Sequence, residues 1–154
     1  MASKDYEDLF KILNAYKIKY LVVGAHAVMF YSEPRFTKDV DVWIPGSLND
    51  PKRVHQALTD FTPLKGLKPK DFQDPKMILQ IGLAPVRVDI LGSLLDVSAE
   101  EAWRHRKRSR YGKTPISILG LEEVIRTKKA TGRPQDNLDL AHLRKKTEKK
   151  LRSL

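Results

Sequence analysis

The segment that most restricts this chain covers residues 20–44, YLVVGAHAVMFYSEPRFTKDVDVWI. Residues 20–23 form a run of strand-forming apolar side chains, which reads as a buried strand, and Gly24 breaks it. The apolar run 25–31 suits a short helix, 32–38 a polar turn, and 39–44 a second strand. Alternation on that strand puts Asp39, Asp41 and Trp43 on one face and Val40, Val42 and Ile44 on the other. Two carboxylates on one strand face repel each other. The arrangement weakens a fold unless a cation sits between them. An edge strand with a solvated acidic face is the plainer alternative.

Gly24 adds a second constraint. A glycine at a strand-to-helix junction lets another group approach the backbone. The N–H groups of Ala25, His26 and Ala27 would then point outward at a helix N-terminus, where anions bind. No Gly-Lys-Ser or Gly-Lys-Thr follows, so this is not a Walker loop. The second and third glycines of a dinucleotide fingerprint are also missing. A glycine turn followed closely by paired carboxylates says more than either alone, because one suits phosphate and the other metal.

At 154 residues and 41% hydrophobic, the chain can build one domain, 1–154, around a real core. It has no cysteine, which excludes a disulfide framework, a thiolate nucleophile and a cysteine zinc site. The N-terminal MASKDYEDLF carries acids and no long apolar run, unlike a signal peptide. No stretch approaches a membrane span, so a soluble, cytoplasmic protein with no membrane partner is expected. The net charge of +10 and pI near 9.8 point to polyanionic partners such as nucleotides, RNA or DNA.

The remaining segments read as scaffold with a few chemical positions. Residues 3–16 suit an amphipathic helix with Tyr6, Leu9, Phe10 and Leu13 inward and Ser3 as its cap. Residues 50–61 suit a helix capped by Asp50, with Pro51 first and Val54, Leu58 and Phe61 inward. A long loop, TPLKGLKPKDFQDP, follows. Strands are expected at 77–81 and 86–91, with a turn at Ala84-Pro85 between them. On the second of these, Arg87, Asp89 and Leu91 share a face, and Asp89 there requires solvent, a cation or a donor. Ser98 opens a capping-box helix to about residue 105. The run RHRKRSR, containing Arg104, Arg106, Lys107, Arg108 and Arg110, reads either as a solvated helix end or as a phosphate-binding patch. A short strand at 115–118, a helix at 119–130 ending at Thr131 and Gly132, and a last helix from Arg133-Pro134 complete the chain. That helix carries Asp136 and Asp139, and its basic tail is expected to fray beyond Leu143. The four histidines show no metal-ligand spacing. His26 has a hydrogen-bonding role within reach, and the other three read as structural. Trp43 could stack on a base or simply pack. Arg35 and Thr37 could orient the loop before the acidic strand.

An apolar strand, Gly24, a short helix, Asp39-Val40-Asp41 on a strand and Asp89 on a later strand together resemble the nucleotidyltransferase superfamily with the polymerase-beta-like fold. The wording VVGAHAVMFYSEPRFTKDVDVWI and the late TGRPQDNLDL are similar to small bacterial nucleotidyltransferase-like proteins, some of whose relatives are toxins of toxin–antitoxin pairs. The resemblance covers roughly residues 21–143. It implies an α+β fold, a mixed twisted sheet flanked by helices. It also implies that Asp39, Asp41 and Asp89 hold two divalent ions, magnesium or else manganese. Gly24, Ala25 and His26 would cradle triphosphate, and Lys128 and Arg133 would neutralise it, although a solvated helix end also explains those two cations. The implied reaction moves a nucleoside monophosphate from a nucleoside triphosphate to a hydroxyl of RNA, tRNA, protein or a small molecule, releasing pyrophosphate. An antitoxin-like protein is an implied partner. One departure stands out: the family usually carries Gly or Ser directly after the motif glycine, and here Ala25 removes a hydroxyl contact while keeping the backbone one. A catalytically inactive module binding nucleic acid or a partner is therefore the alternative.

Overall fold

The computed structural model describes residues 4–32, 39–83 and 86–152. The expected Ser3 cap, the roles of Arg35 and Thr37 and the Ala84-Pro85 turn lie outside the described residues. Six strands form one mixed sheet: β1 (Leu21–Val23), β2 (Asp39–Trp43), β3 (Ile78–Leu83), β4 (Val86–Leu91), β5 (Lys107–Tyr111) and β6 (Thr114–Ile118), in the order β3-β4-β2-β1-β6-β5. Strand β1 runs antiparallel to β2 and parallel to β6, and β2 runs parallel to β4. The hairpins β3–β4 and β5–β6 are antiparallel and form the two outer pairs. This is the α+β fold with a mixed sheet flanked by helices that the sequence predicts.

Helices cover both faces. Helix α1 (Lys4–Ala15) packs on α3 (Pro51–Phe61), β4 and β6. Its Tyr6, Leu9, Phe10 and Leu13 are all buried, as their 3.6-residue spacing requires. They share that core with Val40, Val42, Val88 and Ile90, whose pairing across β2 and β4 puts them on one sheet face. Helices α2 (Gly24–Tyr31), α5 (Leu121–Thr131) and α6 (Pro134–Arg152) pack together, with α2 lying on β1 and β2. The short α4 (Ala99–Arg104) starts at Ser98, whose hydroxyl accepts from the Glu101 N–H.

The structure decides four local points. The loop after α3 contains a 3-10 turn, Pro69–Gln73, that buries Phe72, so it is a piece of the core. The basic run 104–110 is only briefly the end of a helix; from Lys107 it becomes edge strand β5. Charged side chains suit an edge, where they oppose strand addition. Trp43 packs, at 2% exposure, with its indole N–H donating to the Gly92 carbonyl at 3.2 Å. Finally, α6 continues past Leu143 to Arg152. The opposite edge, β3, carries no charged side chain along ILQIGL, and its Ile78 is 69% exposed. Among the described residues no helix is long and apolar enough to cross a membrane.

Because Phe72 anchors the long loop to the core, Phe72→Ala should cost about 3–5 kcal/mol in chemical denaturation. A loss below about 1 kcal/mol would show that the loop folds independently of the core.

Candidate active site

The three acids are brought together by strand register. Asp41 lies opposite Asp89 across the parallel β2–β4 pair, and Asp39 lies opposite Arg87. Side chains directly opposite share a face, so Asp39, Asp41, Arg87 and Asp89 form one polar patch. It sits on the sheet face away from Val88 and Ile90, toward α5.

On the other side of β2, Val23 pairs with Asp41, and Gly24 follows at φ +65°. A Cβ on Gly24 would lie 2.2 Å from Asp41 Oδ2. The glycine is thus required twice, by its left-handed backbone and by the carboxylate against it. The sequence suggested that Gly24 leaves room for an incoming group, and the structure adds that it already leaves room for Asp41.

Crowding and burial act on Asp41. Burial, then the charges of Asp89 and Asp39, push its pKa up to about 6, while Lys128 and Arg87 pull it back. The donor set is three carboxylates, all hard oxygen ligands, and their mutual repulsion is what a divalent cation would relieve. The residues therefore fit the divalent-ion site implied by the resemblance.

Sequence reasoning missed the residue that holds these acids. Arg87 donates from Nε to Asp89 Oδ1 and from Nη2 to Asp89 Oδ2, each at 3.1 Å, and Nη2 stands 3.7 Å from Asp39 Oδ2. The signal was present: Arg87 and Asp89 are two apart on one strand, hence on one face. Tyr6 of α1 anchors this point of β4, its hydroxyl donating to the Arg87 carbonyl and lying 3.1 Å from the Arg87 N–H.

Asp41 and Gly24 also line a cleft of about 230 Å³. Its apolar wall includes Leu91, Leu94, Leu95 and Val124, and Thr127, Lys128 and Arg133 contribute polar groups. Lys128 is not the solvated helix end that was one reading of it. It is 8% exposed, and Nζ contacts Asp136 at 2.9 Å and Asp139 at 3.2 Å. Burial pushes the Asp136 carboxyl up, but hydrogen bonds from Arg133, Thr131 and Lys128 outweigh it and hold the group well below the usual carboxylate range. Arg133 donates from Nε to Asp136 at 2.8 Å yet leaves its side chain 70% exposed.

His26, in the first turn of α2, has its ring edge against Tyr6, with centroids 6.4 Å apart. Burial lowers its pKa, and Nε2 is buried without a hydrogen-bond partner among the described residues. Ala25 occupies the same turn. The basic run stands apart from the acids: β1 and β6 separate β5 from β2, about 14 Å at ordinary strand spacing. Within it, the Arg106 guanidinium stacks 3.9 Å from the Trp103 ring centroid, while Arg104, Lys107, Arg108 and Arg110 are exposed. His105, read from sequence as structural and without metal spacing, meets Glu101 and Glu123. One ligand atom from each lies within 4.8 Å of the others, a group able to hold a metal ion. His105 pairs with Glu123 Oε1 and Glu101 with Arg126, while Glu123 Oε2 is buried without a hydrogen-bond partner among the described residues.

The family model for nucleotidyl transferases of unknown function, DUF2204, matches residues 2–154. The chain belongs to that family. A search of curated proteins finds no match. Among solved structures, the Thermotoga maritima protein TM1012, assigned as a nucleotidyltransferase, is 15% identical at TM-score 0.60, over 92% of this chain and 93% of that one. The lincosamide antibiotic adenylyltransferase LnuA, bound to lincomycin, is 13% identical at TM-score 0.60, over 94% and 97%. The antibiotic-resistance factor ANT(2'')-Ia is 9% identical at TM-score 0.56, over 94% and 82%. At these identities the likeness is one of fold. The family match makes this DUF2204 member a nucleotidyltransferase.

Two variants probe the geometry. Asp41 has a folded pKa of about 6 against 3.8 for the free residue. The stability it contributes as a neutral acid is therefore present below about pH 4 and lost as pH rises through 6. Asp41→Asn should raise unfolding free energy in chelator by about 2–3 kcal/mol at pH 8, and by much less at pH 4.5. An equal change at both pH values would contradict this account of Asp41. Gly24→Ala should cost about 1–3 kcal/mol, and a crystal structure of it should show the Asp41 carboxylate displaced.

Proposed function

We propose that this single domain transfers a nucleoside monophosphate from a nucleoside triphosphate to an acceptor hydroxyl, with release of pyrophosphate. The observation that carries the reading is the register that clusters Asp39 and Asp89 with Asp41, which lines a cleft beside the Gly24 turn. Asp39, Asp41 and Asp89 would hold two divalent ions, magnesium first with manganese as a substitute. When bound, these supply Lewis-acid stabilisation of the attacking and leaving oxygens.

The chain's own residues divide the remaining work. Asp89 would help take the proton from the acceptor hydroxyl, the role the family resemblance implies for the third acid. The backbone N–H groups opening α2, at Gly24, Ala25 and His26, hold the β and γ phosphates. Arg133 adds positive charge to that end of the triphosphate, because its guanidinium is exposed at the cleft while still oriented by Asp136. Lys128 works at one remove: held by Asp136 and Asp139, it favours the ionised form of Asp41 through its field. The largely apolar cleft suits the compact ring of a base or of a small hydroxyl acceptor. LnuA, an antibiotic adenylyltransferase, supports the second occupant by analogy. For an RNA or tRNA acceptor, Arg104, Arg106, Lys107, Arg108 and Arg110 offer a phosphate-contacting edge. An antitoxin-like protein partner belongs to the same family-based reading.

The test is transfer of α-labelled nucleotide to pools of small alcohols, tRNA and protein. Label should appear in one pool with magnesium present. Chelator, Asp41→Asn or Asp89→Asn should each reduce the rate by about a thousandfold or more. If calorimetry finds triphosphate affinity equal in magnesium and in chelator, the metal-dependent reading is wrong.

A further inference from the structure

The acid patch already contains a cation supplied by the chain. Resting on the transferase reading above, we propose that Arg87 is the resident counter-cation of Asp39 and Asp89. Loading of a divalent ion exchanges for it, the guanidinium leaving the two carboxylates as the ion enters.

Three observations carry this. First, the fork on Asp89 uses both of its oxygens at 3.1 Å, and the same Nη2 lies 3.7 Å from Asp39, so Arg87 bridges two of the three acids assigned to metal. Bidentate guanidinium–carboxylate contact engages oxygens that a metal ion would need. Second, a guanidinium left in that contact would compete with a divalent ion for the same carboxylate oxygens, and like charges would repel. Third, the side chain can move while the strand stays. It is 35% exposed, whereas its backbone is bonded into β4 and tied on both its N–H and its carbonyl to the Tyr6 hydroxyl. The exchange also suits the proposed chemistry, since two hydrogen bonds from Arg87 lower the basicity of Asp89 and their release restores it.

Arg87 is thus a positioning residue. It holds the acids assembled when no ion is present and sets the affinity at which an ion replaces it. A residue that merely braced the site would, on removal, weaken metal binding. Removal of a competing cation strengthens it, so the sign of the effect decides.

The experiment uses the full chain and magnesium alone. The Arg87 Nε–H resonance is assigned in the 15N spectrum by its loss in Arg87→Lys. In chelator it should be shifted and slow to exchange with solvent, and magnesium titration should shift it toward a free guanidinium with exchange accelerated. In parallel, Arg87→Gln should bind magnesium roughly tenfold more tightly by calorimetry and melt at a lower temperature in chelator. An Nε–H that stays protected in magnesium-saturated wild-type protein overturns the exchange, and leaves the metal reading standing. Equal or weaker magnesium binding by Arg87→Gln overturns it as well. Absence of magnesium binding in both proteins overturns the metal reading and the exchange together.

Discussion

The packing of the Asp41 carboxylate against a glycine without a side chain is the constraint from which the site follows. Asp41 faces Asp89 on one side through β2–β4 pairing, and on the other it occupies the space a Cβ on Gly24 would need. The turn at Gly24 therefore does more than end β1. It admits an acid to the point where helix α2 begins, so that carboxylates and outward backbone N–H groups share one small region. Any shift of β1 against β2 would disturb both halves at once, and the buried run Leu21–Val23 makes such a shift costly.

Much of this was legible in the sequence, because the decisive signals are local. The period-2 alternation of DVDVW and VRVDIL determines which side chains share a face, and the helix α3 boundary follows from Asp50 and Pro51. What stayed hidden depends on pairings between distant segments. That Arg87 also reaches Asp39 needs the β2–β4 register, which periodicity does not supply. Lys128 reads as an exposed helix end until α6 is laid against α5, and then it becomes a buried charge with two carboxylates around it. The basic run misled for another reason. Lys and Arg favour helix but are also placed on edge strands, so charge alone did not distinguish α4 from β5.

The Lys128 cluster shows how a cation near the acid patch is held in place. An isolated buried charge is costly, and here Asp136 and Asp139 pair with the Lys128 ammonium at 2.9 and 3.2 Å. Gly132, left-handed at φ +63°, closes α5 and turns the chain so that Asp136, four residues later, can accept from Lys128, Thr131 and Arg133. One tight connection between two helices therefore orients both cations that line the cleft.

The two borders of the sheet differ in a way that bears on how copies of this chain meet. Along β5, Lys107, Arg108 and Arg110 would face their own kind if two such borders approached, whereas β3 presents only uncharged side chains. Repulsion of that sort reaches about 10 Å in 0.1 M salt and about 3 Å in 1 M. Colloidal behaviour should accordingly be governed by ionic strength at one border and by hydrophobic contact at the other. Buffers of high salt, often chosen to strip nucleic acid from basic proteins, weaken this electrostatic guard against strand-to-strand growth at β5.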